Sequence, residues 1–212
     1  MSNLTTRQRI LEASRQLFNE RGYAGTTLAQ IAAAVGIAEG NLWYHFRSKT
    51  DLVSALSEEV RGRVRDRIAS TSREGSLAEN YIELIHEAMK DHWDFRFLLR
   101  DYRQLEGVKG PIRSDPEMTA QFTHLQDLLT RMKKEEMLRR DVRVDLKTLA
   151  RSLWIVSRYW SDHLHEQEGL DQISWADQER GFQQHLTLLA PYLTASARRQ
   201  IEIAAAEATR SW

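Results

Sequence analysis

Proline is scarce in this chain, with only three in 212 residues, and that scarcity constrains the fold more than any other sequence feature. A proline inside a helix removes a hydrogen bond and clashes with the preceding turn, which costs about 3 kcal/mol. The residues that fill the chain instead (Ala, Leu, Glu, Arg, Gln) are strong helix formers. No segment shows the period-two alternation of a half-buried strand. Apolar residues recur at three and four. Ile10, Leu11, Leu17 and Phe18 mark a first helix, and Leu52, Leu56, Val60, Val64 and Ile68 a long one. Leu77, Tyr81, Leu84, Ile85, Ala88 and His92 form another stripe, followed by Phe122, Leu125, Leu129 and Met132. Leu146, Leu149, Leu153, Trp160 and Leu164, then Phe182, His185, Leu186 and Leu189, give the last two. The fold class expected is all-α.

Helix starts are equally legible. Thr27 with Gln30, Ser76 with Glu79, and Ser174 with Asp177 have capping-box spacing. Asp115 before Pro116 and Asp145 before Leu146 are further caps. The clearest loops are expected at 107–111, which holds two glycines and a proline, and at 168–171 around Gly169.

The chain has no cysteine, which excludes a disulfide framework, a zinc finger, an iron–sulfur site and a thiolate nucleophile. It has no apolar run of about 18 residues and no signal-peptide pattern at its start, so a cytoplasmic location without membrane contact is expected. The sequon at 3–5 then has no role. The thirty basic and thirty acidic residues cancel overall, but not by region. Residues 1–50 hold Arg7, Arg9, Arg15, Arg21, Arg47 and Lys49 against Glu12, Glu20 and Glu39, an excess of three positive charges; residues 51–212 carry the compensating negative excess. A basic head on an acidic body suits an anion-binding domain joined to something else.

Residues 25–49 hold the chemistry. A short capped helix from about Thr27 to Val35 ends at Gly36, which suits a left-handed cap, with Ile37 free to pack back. Ala32, Ala33 and Ala34 are small enough for another helix to approach. A second short helix, about 38–46, turns Leu42 and Phe46 inward. Two short helices around a glycine turn form a helix-turn-helix, which can present one helix to a DNA major groove. The outward residues of the second helix, with Thr27 and Lys49, are the candidate DNA contacts: Thr27, Ala38, Glu39, Gly40, Asn41, Trp43, Tyr44, His45 and Lys49. Gly40 permits close approach, and Asn41 can pair with base edges or phosphate. Tyr44 and His45 can donate to phosphate oxygens, and Lys49 supplies a flexible cation. The hydroxyl of Thr27 and the helix N-terminus that it caps can serve another phosphate. Trp43 and Tyr44 are adjacent, so both cannot face inward, and one is expected to be half-buried.

This stretch resembles the DNA-binding domain of TetR-family transcriptional regulators. The family pattern is matched by Gly25, Thr26, Thr27, Ile31, Ala32, Gly36, the run Leu42-Trp43-Tyr44-His45-Phe46, Ser48, Lys49 and Leu52. Trp43 departs from the usual tyrosine and Asn41 from the common Thr or Ser, which bears on base preference. The resemblance implies an N-terminal three-helix DNA-binding domain (1–50) and a helical ligand-binding and dimerisation domain (51–212). It also implies a homodimer on a palindromic double-stranded operator. The run from His92 to Tyr102 is similar to a segment in one branch of bacterial TetR-like repressors. The last two long helices, 146–164 and 175–192, would form the dimer interface through Leu153, Ser157, Trp160, Leu164, Phe182, His185, Leu186 and Leu189.

The body is rich in aromatics, which suits a core, an interface or an apolar ligand cavity. The candidate cavity residues are Met89, Trp93, Phe97, Phe122, Leu125, Met132 and Trp154. No metal or catalytic constellation is legible: His163 and His165 are two apart, whereas ligand pairs on one helix face want three or four. No cofactor and no catalytic residue is therefore assigned, and a helical enzyme is the least favoured class. The reading that results is a repressor released from DNA by a small hydrophobic ligand. A regulator controlled by a protein partner, or by no ligand, would carry the same head.

Overall fold

The computed structural model describes residues 4–70, 75–101, 104–105, 116–143, 145–170 and 172–210. The loop expected at 107–111, the cap at Asp115, Asn3 of the sequon, Tyr102 and Asp171 lie outside the described residues. Among the described residues the regular elements are helices: α1 (Thr6–Arg21), α2 (Leu28–Val35), α3 (Glu39–His45), α4 (Lys49–Ser70), α5 (Leu77–Asp94), α6 (Arg96–Arg100), α7 (Pro116–Lys134), α8 (Leu146–Glu166), α9 (Trp175–Leu189) and α10 (Ala195–Arg210). A 3-10 turn (Ala190–Tyr192) follows α9, and one isolated bridge joins Leu138 to Leu193.

The helices start where the sequence placed them. Thr27, Ser76, Asp145 and Ser174 each accept a hydrogen bond from a backbone N–H two or three residues on. A fourth capping box, Thr5 with Gln8, opens α1 within the sequon's own residues.

The chain divides into two compact units, which are described separately. The first comprises the described residues of Met1–Val64 and Asp94–Met118. Ile10, Phe18, Ile31, Leu42, Leu52 and Leu56 are completely buried in its core. The Thr26 hydroxyl donates to the carbonyls of Leu17 (3.2 Å) and Gly22 (2.9 Å), tying the α1–α2 turn to the end of α1. A distant segment braces this end as well. Arg100 donates to the carbonyls of Phe18 and Asn19, the Tyr23 N–H donates to Asp101, and Asn19 bonds both Asp94 O and Phe97 N.

The second unit comprises the described residues of Arg65–Trp93 and Thr119–Trp212. Its core is built on Tyr81, Leu84, Leu125, Leu129, Met132, Leu149, Leu153, Phe182 and Leu189. The α8 and α9 helices approach closely because Gly181 has no side chain. A Cβ there would stand 2.5–2.8 Å from the Trp160 ring. Trp160 is fixed by an Nε1–H bond to Asp177 O (2.7 Å).

Two expectations about faces need correction. Ala32 is buried, but Ala33 and Ala34 are exposed, so only one of the three alanines meets a neighbouring helix. Of the residues expected at the dimer interface, Leu153, Leu164, Phe182, His185 and Leu189 are buried within the single chain and have no surface to give a partner. Their stripe marks the internal core of the body. Ser157, Trp160 and Leu186 are partly exposed. The outward apolar residues of α8 are Ile155 and Tyr159, four apart and 50% and 46% exposed.

Candidate nucleic-acid interface

Backbone geometry fixes the helix-turn-helix. Gly36 sits at φ +75°, ψ +37°, where an L side chain is strained, and its N–H reaches the carbonyls of Ala32 and Ala33. The Ile37 N–H returns to Ala32 O at 3.0 Å, completing the reversal into α3. On the far side, Asp51 accepts from the N–H groups of Arg47 and Ser48 at 3.0 Å, which closes the turn into α4. Leu42 and Phe46 are buried beneath α3 as expected from their spacing.

Most of the candidate contact residues are open to solvent. Thr27, Ala38, Glu39, Gly40, Asn41, Trp43 and Tyr44 are all exposed, and His45 is intermediate. Trp43 is 56% and Tyr44 86% exposed, so Trp43 is the half-covered member of the pair. Tyr44 and His45 meet edge to face at 5.3 Å. Large aromatics are rarely left this open unless the surface has a partner. Gly40 has no atom within 4 Å of where a Cβ would stand, so nothing inside the fold requires glycine there.

Two candidates are partly engaged inside the head. The Thr27 hydroxyl accepts from the Gln30 N–H at 3.2 Å, while its own proton is available to a phosphate. Lys49 Nζ donates to the carbonyls of Tyr23 (2.7 Å) and Thr26 (2.9 Å) and lies 4.3 Å from the centre of the Tyr23 ring. Partial burial holds its ammonium below the ordinary lysine value. Lys49 is thus a clamp between the α1–α2 turn and α4, with one of three donors left for an anion. A clamp of this kind, between residues 23 and 26 positions apart, leaves no trace in local residue patterning.

The candidate cavity residues do not all gather. Phe97 belongs to the core of the first unit, 5.1 Å from Phe18 ring to ring. Leu125, Met132 and Met89 are buried in the body core, while Phe122 and Trp154 meet edge to face at 5.5 Å and are partly exposed. Trp93 meets Trp175 at 6.1 Å. Leu125 and Trp154 line a small cavity of about 20 Å³ with Leu84, Ile85 and Ala88. Met89 borders a different, open groove beside Phe182 and Trp160. Of the two closely spaced histidines, His163 stacks on Trp160, while His165 Nδ1 lies 2.6 Å from Leu170 O. No described helix is long and apolar enough to cross a membrane.

A three-helix head that buries one face of a short helix and opens the other, in a chain that continues as an all-helical body, defines the class of helix-turn-helix regulators. Residues 10–56 match the family of bacterial regulatory proteins, tetR family, and residues 62–201 match the TetR family of bacterial transcriptional repressors. The chain belongs to the TetR family. It is 32% identical over 126 residues to the HTH-type transcriptional repressor AcnR of Corynebacterium efficiens; the match covers 59% of this chain and 61% of that repressor, less than two thirds of its length. It is 40% identical over 67 residues to the HTH-type transcriptional regulator TtgR of Pseudomonas putida, covering 32% of this chain and 31% of that one. A TetR-family regulator from Marinobacter aquaeolei shares the fold with a TM-score of 0.77 at 23% identity, over 97% of this chain and 99% of that one. The TetR family protein CprB from S. coelicolor does so with a TM-score of 0.66 at 21% identity, over 98% and 99%.

Proposed function

We propose that this protein is a homodimeric, DNA-binding transcriptional repressor in the cytoplasm. Two α3 helices enter successive major grooves of a palindromic operator, with half-sites about one helical turn apart or somewhat more. The observation that carries the reading is the open face of α3. It sets Gly40, Asn41 and Tyr44 outward above a helix side that is fully buried. Asn41 reads or positions base edges, Tyr44 and His45 donate to phosphates, and Thr27 with the remaining Lys49 donor extends the phosphate contacts. The DNA-binding part lies within the first compact unit, which runs past residue 50 to Val64, and the outward faces of α8 and α9 complete the proposal. Ile155 and Tyr159, with Ser157, Trp160 and Leu186, supply the interface between copies.

A small hydrophobic ligand in the body releases the operator by favouring a dimer whose heads are spaced wrongly for DNA. A ligand shifts that equilibrium only by its differential affinity, so tenfold release needs about 1.4 kcal/mol between the two forms. The test is operator affinity of Asn41→Ala and Tyr44→Phe, with melting temperature as the control for folding. Each substitution should weaken binding at unchanged stability. If both bind as wild type, the face is misassigned.

A further inference from the structure

The loop between α7 and α8 carries a basic groove on a body whose charge is negative overall. The groove encloses about 670 Å³, within the range of small-molecule sites. Among its described lining residues Lys133, Lys134, Arg139, Arg140 and Arg143 are basic, Glu136 and Asp145 are acidic, and only Leu138 and Val142 are apolar. An excess of three positive charges thus gathers in one concavity, where a field of one sign is focused and anions concentrate.

The acidic groups there are already committed. Glu136 pairs with Arg140, and Asp141 accepts from Nε and Nη2 of Arg139 at 3.0 and 2.5 Å. Asp145 caps α8, accepting from the N–H groups of Lys147 (3.3 Å) and Thr148 (3.1 Å). Lys133, Lys134 and Arg143 are exposed and have no acidic partner among the described residues.

The backbone beneath these cations is fixed. The Met137 N–H bonds Met132 O at 2.9 Å and the Glu136 N–H bonds Lys133 O at 3.2 Å, the paired bonds of a Schellman cap on α7. The Arg139 N–H donates to Tyr192 O (2.8 Å) and the Thr194 N–H to Met137 O (2.9 Å), tying the loop to the turn after α9. Met137 and Leu138 are buried in the body core. A ligand therefore meets a preformed wall and bears little ordering cost. Glu136 is the one described non-glycine residue at positive φ, +57°, in the cap position that favours glycine. The backbone would accept glycine there more readily; the carboxylate instead holds Arg140 and trims the charge of the groove.

We infer that this groove binds a small polyanion, a molecule with two or more linked phosphate or carboxylate groups, with Lys133, Lys134 and Arg143 as its countercharges. Three free cations on one concavity match more than one anionic group, and the sparse apolar lining leaves a hydrophobic molecule little to bury against. The site is separate from the hydrophobic-ligand reading above and does not depend on it.

The test is calorimetric titration of the full chain in metal-free buffer. Pyrophosphate and malonate probe the two sources of linked anions, with methyl phosphate and acetate as their single-group comparators. At least one probe should bind once per chain, more tightly than its comparator, and several-fold more weakly at about 0.5 M salt than at about 0.05 M. Lys133→Gln and Arg143→Gln should each weaken it by about fivefold, the upper end for an exposed charge pair, whereas Arg47→Gln in the head should leave it unchanged. Glu136→Gly, which removes a carboxylate, releases Arg140 and suits the backbone, should tighten binding several-fold at an unchanged or higher melting temperature. No binding of either probe, comparators that bind as well, full affinity in both Lys133→Gln and Arg143→Gln, or weaker binding in Glu136→Gly overturns the inference. So does a loss of duplex-DNA affinity in Lys133→Gln and Arg143→Gln, which would assign the groove to DNA phosphates instead.

Discussion

Replacing Gly40 by alanine separates what the fold needs from what DNA needs. Gly40 lies in the first turn of α3 with ordinary helical backbone, since the described residues with positive φ are Gly22, Gly36, Gly75, Gly169 and Glu136. An added Cβ meets no atom within 4 Å. Alanine is favoured over glycine by about 0.5–1 kcal/mol in a helix interior, and less near an end. The free protein should therefore be as stable as wild type or up to about 1 kcal/mol more so. On the operator the sign reverses. If α3 lies against the groove wall at Gly40, a methyl group there overpacks a close contact, worth about 1–3 kcal/mol, which is roughly 5- to 150-fold in affinity. The assay is chemical unfolding alongside fluorescence-anisotropy titration of labelled operator at fixed salt. Gly40→Ala that is stable and binds operator as tightly as wild type refutes the placement of this face against DNA. A destabilised variant refutes the claim that the fold leaves Gly40 unconstrained.

Further predictions follow from other contacts. Gly181→Ala forces a methyl group into the Trp160 ring at 2.5–2.8 Å and should cost about 1–3 kcal/mol, lowering the melting temperature by several degrees; an unchanged melt would show that α8 and α9 can separate freely. Lys49→Ala removes two charge-assisted bonds to Tyr23 and Thr26 and should destabilise the first unit by about 1–3 kcal/mol. If its third donor also contacts a phosphate, the salt slope of operator binding falls by about 0.9 as well. Acidification should weaken the fold. His92 and His185 are held neutral, at about 3 and about 4, against an ordinary 6.5. The unfolded chain thus binds protons that the folded chain refuses, and stability, full above pH 6.5, is lost as pH falls toward 4. Each histidine contributes a slope of up to about 1.4 kcal/mol per pH unit, so urea melts at pH 7.5 and 5.5 should differ and His185→Gln should reduce the difference.

The head was legible because its determinants are local. Thr27 with Gln30 starts α2, Gly36 ends it in the one conformation that favours glycine, and Leu42 with Phe46 orients α3. The brace on α1 was not legible. Arg100 and Asp101 reach Phe18, Asn19 and Tyr23 across some eighty residues, and contacts at that separation leave no periodic trace. The same blindness put Phe97 with the body aromatics, since aromatic content does not say which core a ring joins. It also hid the Arg67–Asp91 ion pair, buried within the body, because a charged residue on a helix stripe looks like a solvated one. Leu153 and Phe182 illustrate the limit of periodicity: a stripe announces burial but not whether the covering surface belongs to the same chain. Ile155 and Tyr159, four apart on the other side of α8, were the available signal for an outward apolar face.

In the proposed dimer the head's excess of three positive charges would become six, and operator affinity should then be a sensitive function of salt. The most direct test of the central claim is selection of duplexes from a random pool by the purified protein, followed by affinity measurements across a range of salt. The account requires an inverted repeat with half-sites about one turn apart or somewhat more, bound by a dimer. Log affinity should fall with log salt by about 0.9 per phosphate neutralised, and Asn41→Ala should relax the preference within each half-site. Selection that yields no inverted repeat, or an affinity that barely responds to salt, would contradict it.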